Sequence, residues 1–470
     1  MGLSETLANY FDVHEHGSTI RTEILAGITT FLTMSYIVVV NPSLLVDNPN
    51  IPGVDGIAIA GYAPGEIQSM LAVVTIIAAA IATTVMAFYA NRPFAQAPGL
   101  GLNAFFAFTV VGALGVPWQT ALAAVFVEGI IFIALTAVGA REAIIKVFPE
   151  PVKMAVGTGI GLFLAIIGLQ AMGIVVDDTA TLVTMGNLAS NPVAIVSIVG
   201  LFLTFALYAA NVPGSIIIGI VGTSLLGWGL TVSGLVAPEA NLVAGSSAAT
   251  YDITPLAGAF VSGFGNVEAF SFALIVITFF FVDFFDTAGT LVGVGQAGGF
   301  LDEDGDLPDI DKPLMADAVG TTAGAMLGTS TVTTYIESAT GVEEGGRTGL
   351  TALVVALLFL ASLAIVPLAT AIPQYASHIA LVVIGVVMLR NVVDIEWDDL
   401  TFTIPAGMTI LVMPFTYSIA YGIAAGIVSY PLVKVAAGEY DEVSAGQWAL
   451  AVAFVLYFVV RTSGMLQAQV

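Results

Sequence analysis

Long apolar runs recur along almost the whole chain. Most are about 18–25 residues long, enough to cross roughly 30 Å of hydrocarbon as an α-helix, and Gly, Pro or charged residues separate them. Hydrophobic residues make up 58% of the 470 residues and charged residues 9%, with a mean hydropathy of +0.99. This pattern predicts an all-α polytopic membrane protein and excludes an ordinary soluble domain.

Several kinds of chemistry have no support in the composition. The chain has no cysteine, which excludes disulfides, thiolate metal sites and a cysteine nucleophile. Its three histidines, His14, His16 and His378, are scattered, so no metal site is expected. No P-loop pattern appears, so nothing favours direct drive by ATP. We therefore expect no organic cofactor, no metal and no enzyme activity.

The net charge is strongly negative. Asp and Glu number 34 against 10 Lys and Arg, a formal charge of −24, with acidic clusters in Leu301–Lys312 and Asp394–Asp399. A nucleic-acid partner or an anionic lipid headgroup is therefore not expected. An acidic surface is typical of halophilic proteins, which is one interpretation, and acidic loops with no such origin are the other.

The runs predict fourteen membrane spans in two sets of seven. The first set lies near 24–45, 67–90, 97–114, 118–139, 151–173, 193–210 and 213–232. The second lies near 268–291, 313–328, 330–346, 348–372, 376–390, 402–415 and 417–437. A last apolar run, Trp448–Val460, is short for a span and fits a helix lying on the membrane surface.

The basic residues predict the orientation of these spans. With a cytoplasmic N-terminus, the basic residues near the span ends fall on the cytoplasmic side: Arg21, Arg92, Arg141, Lys146, Lys153, Lys312, Arg347, Arg390 and Lys434. The outer connections 46–66, 174–192 and 233–267 contain no Lys or Arg. This asymmetry follows the positive-inside rule and predicts a multi-pass plasma-membrane protein. Treating 402–437 as one kinked span would place Lys434 outside.

An odd number of spans, repeated once, inserts in opposite orientations, which is the inverted-repeat plan of many secondary transporters. The third span of each half is the irregular one. In the first half it is Gln96–Val111, opened by Pro98, Gly99 and Gly101, and in the second it is the nearly polar segment Thr329–Gly349. Interrupted segments at corresponding positions predict a binding site near the midplane.

Acidic residues inside the spans are the candidates for chemistry. A carboxylate at this depth costs several kcal/mol unless it is bound or protonated, so Glu337 is a functional candidate, with an acidic loop as the alternative interpretation. Asp283 and Asp286 lie three residues apart and share a helical face. A binding role is favoured for Glu337 and Asp286, whereas Asp317 is favoured as a brace of helix packing. The roles of Asp283 and Glu128 stay open.

Five long motifs resemble one family of membrane proteins. They are TEILAGITTFLTMSYIVVVNP (22–42), QAPGLGLNAFFAFTVV (96–111), FVDFFDTAGTLVG (281–293), ADAVGTTAGAMLGTSTVTTYIESATGV (316–342) and GGRTGLTALVV (345–355). In this order they are similar to the AzgA-type hypoxanthine/guanine/adenine permeases of the nucleobase–cation symporter (xanthine/uracil permease) family. The resemblance covers nearly the whole chain.

The resemblance implies a core domain of spans 1–4 and 8–11, a gate of spans 5–7 and 12–14, and short strands in spans 3 and 10. The implied segments are the cytoplasmic N-terminus 1–23, core halves 24–139 and 268–372, gate halves 140–232 and 373–437, the extracellular connection 233–267, and the tail 438–470 with its apolar helix.

The resemblance also implies roles for individual residues. The implied base-binding set is Glu337 with Tyr335, Ile336 and Thr334 beside it, Asp286 from span 8, and Asn103 from span 3. Asp286 is also the implied proton-coupling acid, with Asp283 and Asp317 as further candidates. The uracil branch has Glu at the position of Asp286 and His at that of Thr290, which favours a purine.

The sequence thus predicts a cation-coupled importer of purine nucleobases: hypoxanthine, guanine, adenine and, as a further candidate, xanthine. The expected coupling ion is H⁺, with Na⁺ as the alternative, and the family resemblance makes a homodimer the assembly to test. One rival is an anion or dicarboxylate carrier or channel of related fold, which the acidic candidate site disfavours. The other is a membrane-embedded enzyme, for which no nucleophile–base pair appears.

Overall fold

The computed structural model describes residues 3–47, 56–139, 147–244, 249–267, 269–302 and 307–462. Within these ranges ten helices are long and apolar enough to cross a membrane. The chain is therefore a helical polytopic membrane protein, as the apolar runs predict. Arg141, Lys146 and part of the acidic run Leu301–Lys312 lie outside the described residues.

The first half of the chain contains nine described α-helices. They are α1 (Leu3–Tyr10), α2 (Ile20–Met34), α3 (Ile37–Leu45), α4 (Pro64–Val85), α5 (Leu100–Ala104), α6 (Trp118–Ala137), α7 (Glu150–Ala171), α8 (Pro192–Ala209) and α9 (Ser215–Val232). π-Helical turns continue α4 over Met86–Ala90 and α5 over Phe105–Ala113.

The second half contains eleven described α-helices, which range from 4 to 30 residues in length. They are α10 (Phe260–Gly263), α11 (Ala269–Gly298), α12 (Asp311–Leu327), α13 (Ser338–Glu343), α14 (Gly349–Ser362), α15 (Val366–Thr370), α16 (Gln374–Ser377), α17 (Ile379–Met388), α18 (Leu400–Thr416), α19 (Ile419–Ala437) and α20 (Ala445–Thr462). Single 3₁₀ turns occupy Leu188–Ser190, Pro238–Ala240, Phe264–Asn266, Leu363–Ile365, Leu389–Asp394 and Tyr440–Glu442.

Four short strands complete the described structure: β1 (Gln96–Pro98), β2 (Val175–Asp178), β3 (Leu182–Met185) and β4 (Val332–Thr334). Strands β2 and β3 form an antiparallel hairpin inside the outer connection 174–192, where the apolar runs predict no regular element. Strand β1 pairs antiparallel with β4, with Gln96 opposite Thr334 and Pro98 opposite Val332. The β1–β4 pair therefore joins the two interrupted segments, Gln96–Val111 and Thr329–Gly349.

The crossing of β1 and β4 is fully buried, so its backbone groups need protein partners. Neighbouring hydroxyls supply them. The hydroxyl of Thr83 binds both the N–H and the C=O of Gln96, at 2.9 and 3.0 Å. Thr321 donates to the C=O of Val332 at 2.8 Å. Hydroxyl side chains on the surrounding helices therefore satisfy a two-stranded ribbon that hydrocarbon could not.

Two glycines make the crossing geometrically possible. Gly328 ends α12 in the left-handed conformation, φ +102°, and so turns the chain from the helix toward β4. Gly99 follows β1, and a Cβ at this position would lie 2.6 Å from Cγ2 of Thr333. The close approach of the two segments therefore requires a residue without a side chain at position 99.

A buried carboxylate fastens the first span to the end of the second interrupted segment. Glu23 of α2 accepts hydrogen bonds from the backbone N–H groups of Arg347 and Thr348, at 3.0 and 3.2 Å, and from the hydroxyl of Thr351 at 2.6 Å. These donors surround the first turn of α14, where N–H groups have no intrahelical partner. The negative charge also suits a helix N-terminus.

Replacing Glu23 by alanine should leave these donors without their acceptor. Hydrogen bonds to charged groups are worth about 1.5–3 kcal/mol each, and the losses are not additive, so we expect a drop in unfolding free energy of about 3 kcal/mol. A lower thermal unfolding temperature of the purified protein in detergent would show it. Glu15→Ala, which removes an exposed carboxylate from the same terminal region, is the control. An unchanged unfolding temperature in Glu23→Ala would contradict this account of the contact.

Several polar loops gather at one face of the molecule. The guanidinium of Arg92 donates to the C=O of Pro308 at 2.7 Å, and Arg92 and Arg347 both lie over the ring of Phe300, 5.8 and 5.7 Å from its centroid. The Ser18 hydroxyl donates to the C=O of Gly345 at 3.3 Å. The N-terminal segment therefore shares a face with the loops that precede β1, α12 and α14.

The structure places several span boundaries differently from the apolar runs. The helix predicted near 268–291 extends to Gly298, and the run near 24–45 is divided by a turn at Ser35–Tyr36. The final apolar run is part of the longer helix α20, which packs against α19. Hydropathy responds to residue type and not to helix geometry, so polar helix ends and short turns are invisible to it.

Candidate functional site

Glu337 lies at the turn between β4 and α13. Its side chain is half-buried, and its Oε1 accepts a hydrogen bond of 2.6 Å from the hydroxyl of Tyr36. Its backbone C=O accepts from the hydroxyl of Thr340 at 2.7 Å, which fixes the first turn of α13. One oxygen of the carboxyl group and the backbone C=O of Glu337 are therefore held in place, while the side chain stays partly exposed.

Asp286 shares the surroundings of Glu337. It lies on α11, half-buried, and the two carboxyl groups are close enough to interact electrostatically. Among the described residues, none donates a hydrogen bond to the Asp286 side chain. Tyr208, near the end of α8, also lies within electrostatic reach of Glu337. Glu337 therefore lies within electrostatic reach both of Asp286 on α11 and of a helix of the other predicted domain.

The two residues before Glu337 have different environments. Tyr335 is buried, its N–H donates to the C=O of Ala95 at 3.0 Å, and its hydroxyl donates to the C=O of Pro98 at 2.5 Å. The N–H and the hydroxyl of Tyr335 therefore bind the backbone around β1. Ile336 is 48% exposed, so its side chain borders the open space next to Glu337.

Asp317 belongs to a separate, fully buried network behind the strands. Its Oδ1 accepts from Gln96 at 3.0 Å and from the hydroxyl of Thr334 at 3.1 Å, and its Oδ2 accepts from Thr287 at 2.9 Å. The carboxyl group therefore ties both strands to α11 and α12. The sequence favours Asp317 as a brace of the helix packing around Gly320, Gly324 and Gly328, and in the structure it also joins the strands to the helices. Thr334, which the resemblance placed in the base-binding set, has its hydroxyl in this network.

Asp283 and Glu128 extend the same network. Asp283 is fully buried, and its only described donors are the distant hydroxyls of Thr287, at 3.4 Å, and Thr321, at 3.3 Å. Glu128 of α6 is also fully buried, and neither of its oxygens has a hydrogen bond of good geometry, although the Asp283 carboxyl group is close enough to interact with it. With no cation among these contacts, the pair is expected to hold protons of its own.

Asn103 lies on α5, within the first interrupted segment and after β1. It is fully buried, and neither its amide nitrogen nor its amide oxygen has a hydrogen-bond partner. An unpaired buried amide costs free energy, about 1–3 kcal/mol, unless something binds it. The structure shows no hydrogen bond between Asn103 and Glu337 or Asp286.

Sequence reasoning missed Tyr36, Gln96 and Thr287 as members of these sites. All three stand in the quoted motifs, and each is a polar residue within an apolar or interrupted span. A polar residue at such a position is the sequence signal that could have identified them. A cavity of about 860 Å³ lies elsewhere, between α2–α3 and α9, and none of the predicted site residues lines it.

The fold and the site together define a polytopic membrane protein with paired acids beside two crossed, interrupted segments. The chain belongs to the Permease family of xanthine and uracil permeases, whose model matches residues 21–425. The resemblance drawn from the motifs is thereby confirmed.

Three relatives match nearly end to end. A permease of Methanocaldococcus jannaschii, MJ0326, is 47% identical over 96% of this chain and 97% of its own length. The adenine permease AdeP of Escherichia coli is 39% identical, with 96% of both chains covered. The guanine/hypoxanthine permease PbuG of Bacillus subtilis is also 39% identical, over 96% of this chain and 99% of its own.

Solved structures show the same fold at low sequence identity. The murine Slc26a9 anion transporter, solved in its inward-facing state, superposes with a TM-score of 0.60 at 11% identity, over 89% of this chain and 68% of that one. At this identity the similarity concerns the fold alone.

Proposed function

We propose that this protein imports purine nucleobases by cation symport, with Glu337 as the group that binds the base. The observation that carries the proposal is the Glu337 carboxylate, held by Tyr36 beside Asp286 and open on one side. Relatives that cover nearly the full chain are adenine and guanine/hypoxanthine permeases. The substrates proposed are hypoxanthine, guanine and adenine, with xanthine as a further candidate.

A purine suits this arrangement chemically. It is flat and carries ring N–H groups beside carbonyl or amino groups, so a carboxylate can accept from one edge. The unpaired amide of Asn103 offers a donor and an acceptor that no described residue uses. Ile336 supplies apolar contact, and Tyr335 and Thr334 hold the strand crossing that positions Glu337. A wrong solute would leave buried polar groups unpaired, which gives discrimination.

The coupling ion is proposed to be H⁺, with Asp286 as the coupling acid. Asp286 and Glu337 lie within electrostatic reach of each other, and no Lys or Arg contacts either carboxyl group among the described residues, so one proton would relieve their repulsion. Asp283 and Asp317 are proposed to exchange protons in the network behind the strands. Na⁺ is the alternative ion, and a sodium-driven uptake would replace this assignment.

The proposed architecture has fourteen spans in two inverted repeats. Ten are the long helices, and the other four predicted spans fall on the shorter elements near 97–114, 313–328, 330–346 and 402–415. The succession of helix, strand and short helix occurs twice, as α4–β1–α5 and α12–β4–α13, and the two strands run antiparallel. Opposite insertion of two repeats would produce this relation.

Transport is proposed to occur by movement of the core (24–139 and 268–372) against the gate (140–232 and 373–437). Tyr208 from the gate lies near Glu337 from the core, so the site borders the proposed interface. The shared face of the N-terminal segment, Arg92 and Arg347 supports a cytoplasmic N-terminus under the positive-inside rule. We propose a plasma-membrane location, and a homodimer as the assembly.

An anion or dicarboxylate carrier is not favoured, although Slc26a9 shares the fold. The candidate site presents two carboxyl groups, and an anion would be repelled by both. Substrate turnover by an enzyme is likewise unsupported, since the described residues form no nucleophile–base pair at this site.

A competition panel tests the proposed function. Cells lacking their own purine uptake and expressing this chain should take up labelled hypoxanthine, and unlabelled purines should compete whereas uracil, chloride and sulfate should not. A protonophore should reduce the uptake. Competition by chloride or sulfate, without competition by purines, would reject the proposal in favour of an anion carrier.

A further inference from the structure

The hydroxyl group of Tyr36 binds the carboxylate that the proposed function assigns to the base. Tyr36 lies in the turn between α2 and α3, and its side chain is 1% exposed. The donor–acceptor distance to Oε1 of Glu337, 2.6 Å, is typical of a charge-assisted O–H···O⁻ bond.

The position of Tyr36 is fixed from several sides. Its backbone C=O accepts from the N–H groups of Val39 and Val40, at 3.0 and 2.9 Å, which begins α3. One turn earlier, the hydroxyl of Thr33 lies 3.1 Å from that of Thr340 in α13. The first span is thus joined at two points to the turn that carries Glu337, and the phenol ring has little freedom to leave.

This contact restricts what the carboxylate can offer a ligand. A free carboxylate has two oxygens side by side and binds two adjacent N–H donors at once. The Tyr36 hydroxyl takes one of the two lone pairs of Oε1 and draws charge from that oxygen, so Oε1 is the weaker acceptor for a ligand and Oε2 the stronger one. Guanine presents two adjacent donors, its ring N1–H and its 2-amino group. Hypoxanthine has the same N1–H but only a C–H in place of the amino group.

We propose that Tyr36 is a positioning and specificity-determining residue that leaves Glu337 with one strong hydrogen bond, through Oε2, to the base. This inference rests on the proposed function. It assigns the site to purine edges with a single N–H donor, so the 2-amino group of guanine should gain little in this protein. Because Tyr36 acts through Glu337, it affects the choice among purines more than binding as such.

Binding of labelled hypoxanthine to the purified protein in lipid nanodiscs, displaced by unlabelled guanine, tests the inference. In the wild type, guanine and hypoxanthine should bind within about threefold of each other, because the second donor meets only the Oε1 atom that Tyr36 already engages. In Tyr36→Phe, Oε1 becomes free, and the affinity for guanine relative to hypoxanthine should rise about tenfold. An unchanged ratio in a variant that still binds would overturn the inference.

A matched control removes another tyrosine hydroxyl. Tyr251 donates to the C=O of Leu363 at 2.9 Å, far from the site, and Tyr251→Phe should leave the ratio unchanged. If Tyr36→Phe fails to fold, the wild type alone still decides, since a preference of tenfold or more for guanine would mean that the second donor is bound. Failure of the wild type to bind either base would instead reject the proposed function, and this inference with it.

Discussion

Glu337→Gln is expected to lower uptake of labelled hypoxanthine at least about hundredfold while the protein still inserts. The glutamine keeps the shape of the side chain and an oxygen for the Tyr36 hydroxyl, but it places an N–H₂ group where an acceptor is needed. Two donors then face each other. The loss of a hydrogen bond to a charged group together with this conflict is worth about 3 kcal/mol, which is about hundredfold.

The comparison requires an inserted, folded variant. Glu343→Gln makes the same chemical change six residues further on, at an exposed position at the end of α13. It should transport like the wild type. Equal membrane levels and equal elution in size-exclusion chromatography would show that neither change prevents folding. Wild-type uptake by Glu337→Gln would remove Glu337 from the binding site and leave it as a structural acid of the turn.

Asp286→Asn is expected to separate purine movement from the proton gradient. In the proposed mechanism, a proton bound at Asp286 would relieve the repulsion from Glu337, so substrate and proton would favour each other's binding. An asparagine is neutral at every pH and needs no proton. The variant should therefore equilibrate purine across the membrane without concentrating it.

Accumulation measures this directly. A gradient of one pH unit is worth about 1.4 kcal/mol, so one-to-one coupling allows the wild type about tenfold accumulation, whereas Asp286→Asn should reach a ratio of about one. Exchange of internal for external purine should survive in the variant. Asp311→Asn, at an exposed position in the first turn of α12, should accumulate like the wild type. Full proton-driven accumulation by Asp286→Asn would exclude Asp286 as the coupling acid.

Much of this architecture could be predicted from local features of the sequence. Apolar length marks the long helices, and the Pro and Gly residues around β1 and β4 mark the interrupted segments, because both depend on a few neighbouring residues. The acidic residues were also recognisable, since a carboxylate within an apolar span is costly wherever it points. Local features of the sequence therefore predict whether a segment is a long helix, an interrupted segment or a span that carries an acid.

Which residues meet could not be predicted in the same way. Tyr36 and Glu337 are separated by 301 positions, and Gln96 and Asp317 by 221. Both contacts depend on how the two halves of the chain pack. From the sequence, Asp317 is favoured as a brace of helix packing and the role of Asp283 stays open, but nothing there indicates that Asp317 receives three good donors and Asp283 only distant ones. The spacing of acidic residues along the chain does not show how many hydrogen-bond donors each carboxyl group will meet.

Reconstitution tests the central claim most directly. The purified protein is inserted into liposomes, an inward proton gradient is imposed, and the entry of labelled hypoxanthine is followed over time. The account predicts concentrative entry that unlabelled purines compete for, that a protonophore abolishes and that Glu337→Gln lacks. The absence of entry of hypoxanthine, guanine and adenine into liposomes that contain folded protein, under proton and sodium gradients alike, would contradict it.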